Sequence, residues 1–90
     1  MASTEVVFKD RYGLHPRAAM RIQTEARTFG AAIAIEPLEG GAPVDARSML
    51  ALVSIGIRLD DRLRVSAIGP DADAAVAAMA GLIAAGVCHP

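Results

Sequence analysis

The chain has 90 residues, enough for one domain with a modest core and little room for elaborate chemistry. Nine basic and ten acidic residues give a formal net charge of −1, without the basic excess of a nucleic-acid binder. Cys88 is the only cysteine and cannot close an internal disulfide, so nothing points to an oxidising compartment.

The first five residues lack a basic stretch followed by an apolar one, which argues against a signal peptide. Glu5-Val6-Val7-Phe8-Lys9, β-branched and aromatic, predicts a first strand, and Asp10-Arg11-Tyr12-Gly13 a loop. A helix is expected from Pro16, since proline needs no N–H at the first helical position and its φ is already set. His15 then falls at the N-cap. Ala19, Ile22, Ala26 and Phe29 recur at helical spacing, and Gly30 is expected to end the helix.

Residues 31–36 predict the second strand, and 37–43, with two glycines and two prolines, a turn. Val44-Asp45-Ala46 can pair back as a short third strand. Ser48 is a natural N-cap, worth about 1 kcal/mol over alanine, for a short helix from Met49 to about Ile55 that Gly56 stops. Leu63 to Ile68 alternates as a fourth strand, broken by Gly69-Pro70. Asp71 or Asp73 is expected to cap a last helix with a stripe of Val76, Met79 or Ala80, Ile83 and Val87, and acidic residues there suit the helix dipole. The apolar run from Ala74 to Cys88 is short for a bilayer span of about 20 residues. Cys88-His89 offers too few ligands for zinc. No metal, cofactor, nucleic acid or membrane insertion is therefore expected, and the setting expected is cytoplasmic. The order βαββαβα predicts an α+β domain over residues 1–90, with helices on one face of a four-stranded antiparallel sheet.

The chemistry concentrates at Gly13-Leu14-His15-Pro16-Arg17. A neutral imidazole is a nucleophile near neutral pH. A helix N-terminus offers unpaired N–H groups and a partial positive charge to an anion. Arg17 supplies a guanidinium that can fork onto phosphate oxygens. Gly13 permits the left-handed backbone of a sharp turn into the helix. On the residues alone two readings stand together: a phosphoryl site, or a polar cap followed by a solvated arginine.

Gly13, Leu14, His15, Arg17 and Ala19 match a pattern that resembles the active-site signature of the HPr family, the histidine-containing phosphocarriers of the bacterial phosphoenolpyruvate-dependent sugar phosphotransferase system. Residues 46–56 resemble that family's regulatory-serine segment, with Arg47 as its basic residue before Ser48. The likeness runs along nearly the whole chain, and the family's open-faced βαββαβα sandwich is the order read above. The resemblance implies that His15 accepts phosphate at Nδ1 from phosphorylated enzyme I and passes it to a IIA domain, as a relay and not an independent enzyme. Arg17 would steady the phosphoryl group. Met20, Met49, Leu50 and Val53 would form an apolar docking patch. Ser48 would be modified by an HPr kinase/phosphorylase in some bacteria, a transcription regulator would be a further partner, and the carrier would be monomeric. Pro16 departs from the family pattern, because it removes one backbone donor and leaves the Arg17 and Ala18 N–H groups. Ala18 stands where proline is more usual. Two other function classes compete: a regulatory binding module of the same fold, and an unrelated ligand-sensing domain in which His15 would be buried.

Overall fold

A computed structural model describes residues 1–87; Cys88 and His89 lie outside the described residues. The elements are β1 (Ala2–Val7), α1 (Pro16–Ala26), β2 (Ala32–Pro37), β3 (Val44–Asp45), α2 (Met49–Ser54), β4 (Arg62–Ile68) and α3 (Ala72–Ala84). The strands form one sheet in the order β1-β4-β2-β3, and every neighbouring pair is antiparallel. The α+β sandwich of four strands and three helices is therefore the observed architecture.

Alternation on β4 shows which face is covered. Leu63, Val65 and Ala67 are buried, while Arg62, Arg64 and Ile68 are exposed. Phe8, Ile22, Ile35, Leu52, Leu63, Met79 and Ile83 are fully buried between that face and the helices. The stripes predicted for α1 and α3 supply Ala19, Ile22, Ala26, Val76, Met79 and Ile83, with Val87 beyond the last turn of α3. On the other face Arg64 stands between Glu5 and Glu36, at 3.6 and 3.7 Å. Such exposed pairs stabilise little. No helix among the described residues is long and apolar enough to cross a membrane.

The main departures from the sequence expectation lie in the first strand, the end of the first helix and the cap of the last. The first strand begins at Ala2 and ends at Val7, because its extent follows its pairing with β4, from Ala2 opposite Ala67 to Val7 opposite Arg62. Lys9 leaves the sheet and pairs with Asp60 at 2.9 Å. Helix α1 stops at Ala26 with Arg27 as C-cap, four residues before Gly30, so Phe29 lies in the following turn. Asp71 occupies the N-cap position of α3 but makes no side-chain cap bond. Its carboxylate instead accepts the N–H groups of Gly30 at 2.8 Å and Ala31 at 2.7 Å. Arg47 completes this clip by donating to the carbonyls of Phe29 and Ala31, at 3.0 and 3.1 Å. The Gly30 N–H, followed by the Ala31 N–H, its own N–H and the Arg47 charge, holds the Asp71 carboxyl below its ordinary value of 3.8 against an opposing desolvation.

Candidate functional site

The loop from Asp10 to Leu14 is shaped by its own backbone. The Asp10 carbonyl accepts the Gly13 N–H at 3.1 Å, and its carboxylate Oδ1 accepts the Tyr12 N–H at 3.0 Å. Gly13 has φ +72°, and a Cβ there would stand 2.9 Å from the Ile57 carbonyl oxygen. Only glycine meets both conditions without strain. The Leu14 N–H donates to that same carbonyl at 2.9 Å and ties the loop to the segment after α2. Leu14 is buried, so the chain reaches the helix from a fixed direction.

His15 is the N-cap of α1, with extended backbone (φ −84°, ψ 172°), and Pro16 is the first helical residue. The imidazole takes the role that serine or aspartate usually plays. Nδ1 accepts the N–H of Arg17 at 3.2 Å and of Ala18 at 3.4 Å. Both contacts are long, so each is weak. An accepting Nδ1 has its lone pair pointing at the helix end, and the proton of the neutral ring is on Nε2. Nε2 faces the Asp10 carboxylate, with Oδ2 at 4.0 Å. The imidazole side chain is 28 % exposed, whereas that of Asp10 is 5 % exposed. The Tyr12 ring meets His15 edge-on with centroids 6.3 Å apart, and the Arg11 guanidinium lies 5.8 Å from the Tyr12 centroid. Arg11, Tyr12, His15, Arg58 and Leu59 line one shallow depression.

The two donors left by Pro16, the backbone N–H groups of Arg17 and Ala18, are the two that reach Nδ1 of His15. The Arg17 side chain is exposed. Ser48 caps α2, its Oγ accepting the Ala51 N–H at 3.2 Å. Met20 is 51 % and Leu50 81 % exposed, on helices α1 and α2 that pack against each other. Met49 and Val53 are half-buried and packed on the core, which separates them from the exposed pair. Sequence reasoning passed over Asp10. Its one signal was local: an aspartate opening a tight turn that contains glycine. Among the described residues no three His, Cys, Asp or Glu side chains gather as a metal would require. The Cys88-His89 pair considered above lies outside them.

The family model for the PTS HPr component phosphorylation site matches residues 2–85. The multiphosphoryl transfer protein of Salmonella typhimurium is 35% identical over 86 residues, which is 94% of this chain and 23% of that protein. The chain therefore spans about a quarter of the length of that relative. The phosphocarrier protein HPr of Mycoplasma genitalium is 32% identical over 79 residues, covering 88% of this chain and 89% of that one. The crystal structure of a phosphocarrier protein HPr from Bacillus anthracis superposes with a TM-score of 0.84 at 29% identity, over 91% of this chain and 95% of that one.

Proposed function

The chain belongs to the HPr family of phosphocarriers, and from that premise we propose that it carries a phosphoryl group on Nδ1 of His15, taken from enzyme I and passed to IIA-type domains. The observation that carries this reading is the direction of the Nδ1 lone pair, toward the N-terminus of α1 and between two backbone N–H groups. The nucleophilic atom is thereby at a helix N-terminus, which suits an anion.

In the reaction, the Nδ1 lone pair attacks phosphorus and a nitrogen–phosphorus bond forms. The bond to the donor breaks, and its electron pair leaves with the donor. The Arg17 and Ala18 N–H groups then turn from Nδ1 to the phosphoryl oxygens, and the exposed Arg17 guanidinium adds a charged fork. Each helix-end contribution is small, roughly 0.3–1 kcal/mol. A carrier needs that modesty, because it must release what it holds. Pro16 keeps the cradle to two backbone donors.

The same docking patch would take Met20 and Leu50 as its exposed part, with Met49 and Val53 half-buried and packed on the core. Arg17 and Arg21 are exposed on α1 and suit an acidic partner surface. A phosphate on Ser48, placed by an HPr kinase/phosphorylase, would add about −2 charge beside this patch and weaken partners that bind there. Docking to a transcription regulator would use the same surface. Residues 1–90 act as one HPr domain in this reading, in the cytoplasm.

Incubation with phosphoenolpyruvate and the cognate enzyme I is expected to give an acid-labile phosphoprotein, and His15→Ala to abolish it. Label that survives His15→Ala overturns the assignment. The donor missing at Pro16 favours one second reading, a regulatory module that docks without transferring phosphate. Normal partner binding with no phosphotransfer would identify it.

A further inference from the structure

We infer that Asp10 is a positioning residue for His15: its carboxylate keeps the imidazole proton on Nε2 and compensates the positive ring that forms when Nδ1 takes the phosphoryl group. The catalytic half of this inference rests on the phosphocarrier reading above; the tautomer half does not.

Among the described residues Asp10 is the only polar or charged residue that is buried. Burying a carboxylate is costly unless donors or charges face it. The Tyr12 N–H meets Oδ1, and Oδ2 is turned to Nε2 of His15. The two sides of the ring therefore select the same tautomer. Backbone N–H groups at Nδ1 require a lone pair there, and a carboxylate opposite Nε2 favours a proton there. Attack on phosphorus consumes the Nδ1 lone pair and leaves the ring cationic, with its proton still on Nε2. Arg11 and Tyr12 of the preceding loop and Arg58 of the segment after α2 line the same depression as His15, and Arg17 follows it two residues on in α1. Three of these are cations and oppose a further positive charge. Asp10 supplies the compensating negative charge. A ring movement of about 1 Å converts the 4.0 Å approach into a charge-assisted hydrogen bond. When the phosphoryl group leaves, the nitrogen–phosphorus electron pair returns to Nδ1 and the ring is neutral again. The Nε2 proton stays throughout, so neither step waits for a proton from solvent.

Asp10→Asn is the test, since it keeps an oxygen for the Tyr12 N–H while removing the charge and offering a donor to Nε2. Nitrogen-15 spectra of the unphosphorylated protein, taken with the imidazole neutral, are expected to show the Nε2–H tautomer in the parent chain. In Asp10→Asn a clear shift toward Nδ1–H is expected. Phosphorylation by enzyme I should slow roughly tenfold in kcat with KM for the partner unchanged. Asp10→Ser, whose hydroxyl also accepts the Tyr12 N–H, carries the same expectations should the asparagine variant fail to fold. Parent-like tautomer populations in the variants overturn the inference. Parent-like rates in the face of a shifted tautomer overturn its catalytic half. A parent chain that accepts no phosphate at all defeats the phosphocarrier reading instead, and the spectra still judge Asp10.

Discussion

Helices α1 and α3 begin in opposite ways. At α1 the cap residue serves its own helix: His15 accepts two N–H groups of the first turn, both at long range, and its ring is partly exposed. At α3 the cap residue serves a distant segment: Asp71 leaves its own helix uncapped and accepts two short N–H bonds from Gly30 and Ala31. Weak local bonds can be exchanged for a ligand at small cost. Short bonds across some forty residues fix the path of the chain between α1 and β2. The molecule thus leaves one helix end weakly capped, the end where we place the chemistry, and commits the other to the fold.

Substitutions at the two ends should separate stability from activity. The largest loss of stability is expected from Asp71→Ala, which orphans the Gly30 and Ala31 N–H groups and removes an anion near Arg47. Thermal unfolding should show a lower Tm, while the folded fraction still accepts phosphate. Because folding lowers the Asp71 carboxyl, its stabilisation is complete above the unfolded value and fades as pH falls through the folded one. The acid limb of the stability profile should therefore be shallower in Asp71→Ala. A folded variant that loses phosphorylation would break the division between the two ends. Gly13→Ala comes next, at roughly 2 kcal/mol in denaturant unfolding, from the left-handed backbone and the close Ile57 carbonyl. It should also slow phosphorylation, since it displaces the loop that sets His15. The smallest effect is expected from Ser48→Ala, about 1 kcal/mol for a lost cap, with phosphorylation of His15 unchanged. A silent Ser48→Ala in the unfolding measurement would remove the cap from that serine's roles.

The elements and the His15 cap were readable because each is written locally: Pro16 at the first helical position, Ser48 before an apolar run, and β4 alternating over its length. The misjudged features depend on partners remote in sequence. Gly30 resembles a helix terminator, yet its contribution is an N–H directed at a carboxylate 41 residues away. Asp71 resembles a cap for the same reason in reverse. The length of β1 is set by β4, which no local pattern near Ala2 reveals. Asp10 was missed although it lies five residues from His15. Its importance rests on burial and on the ring's orientation, and a loop aspartate shows neither in a linear reading.

The imidazole nitrogen at the head of α1 has a consequence for selectivity against bulk solutes. A helix end with open donors would attract any small anion in solution. Here the donors already have an acceptor built into the chain, and a passing phosphate or sulfate ion would have to displace it without forming a covalent bond in return. In the proposed reaction a phosphoryl group joined to that same nitrogen uses up its lone pair and frees the donors. On the phosphocarrier reading each discharge gives the donors back to the ring, so a free anion has to compete with Nδ1 for them and never meets them open.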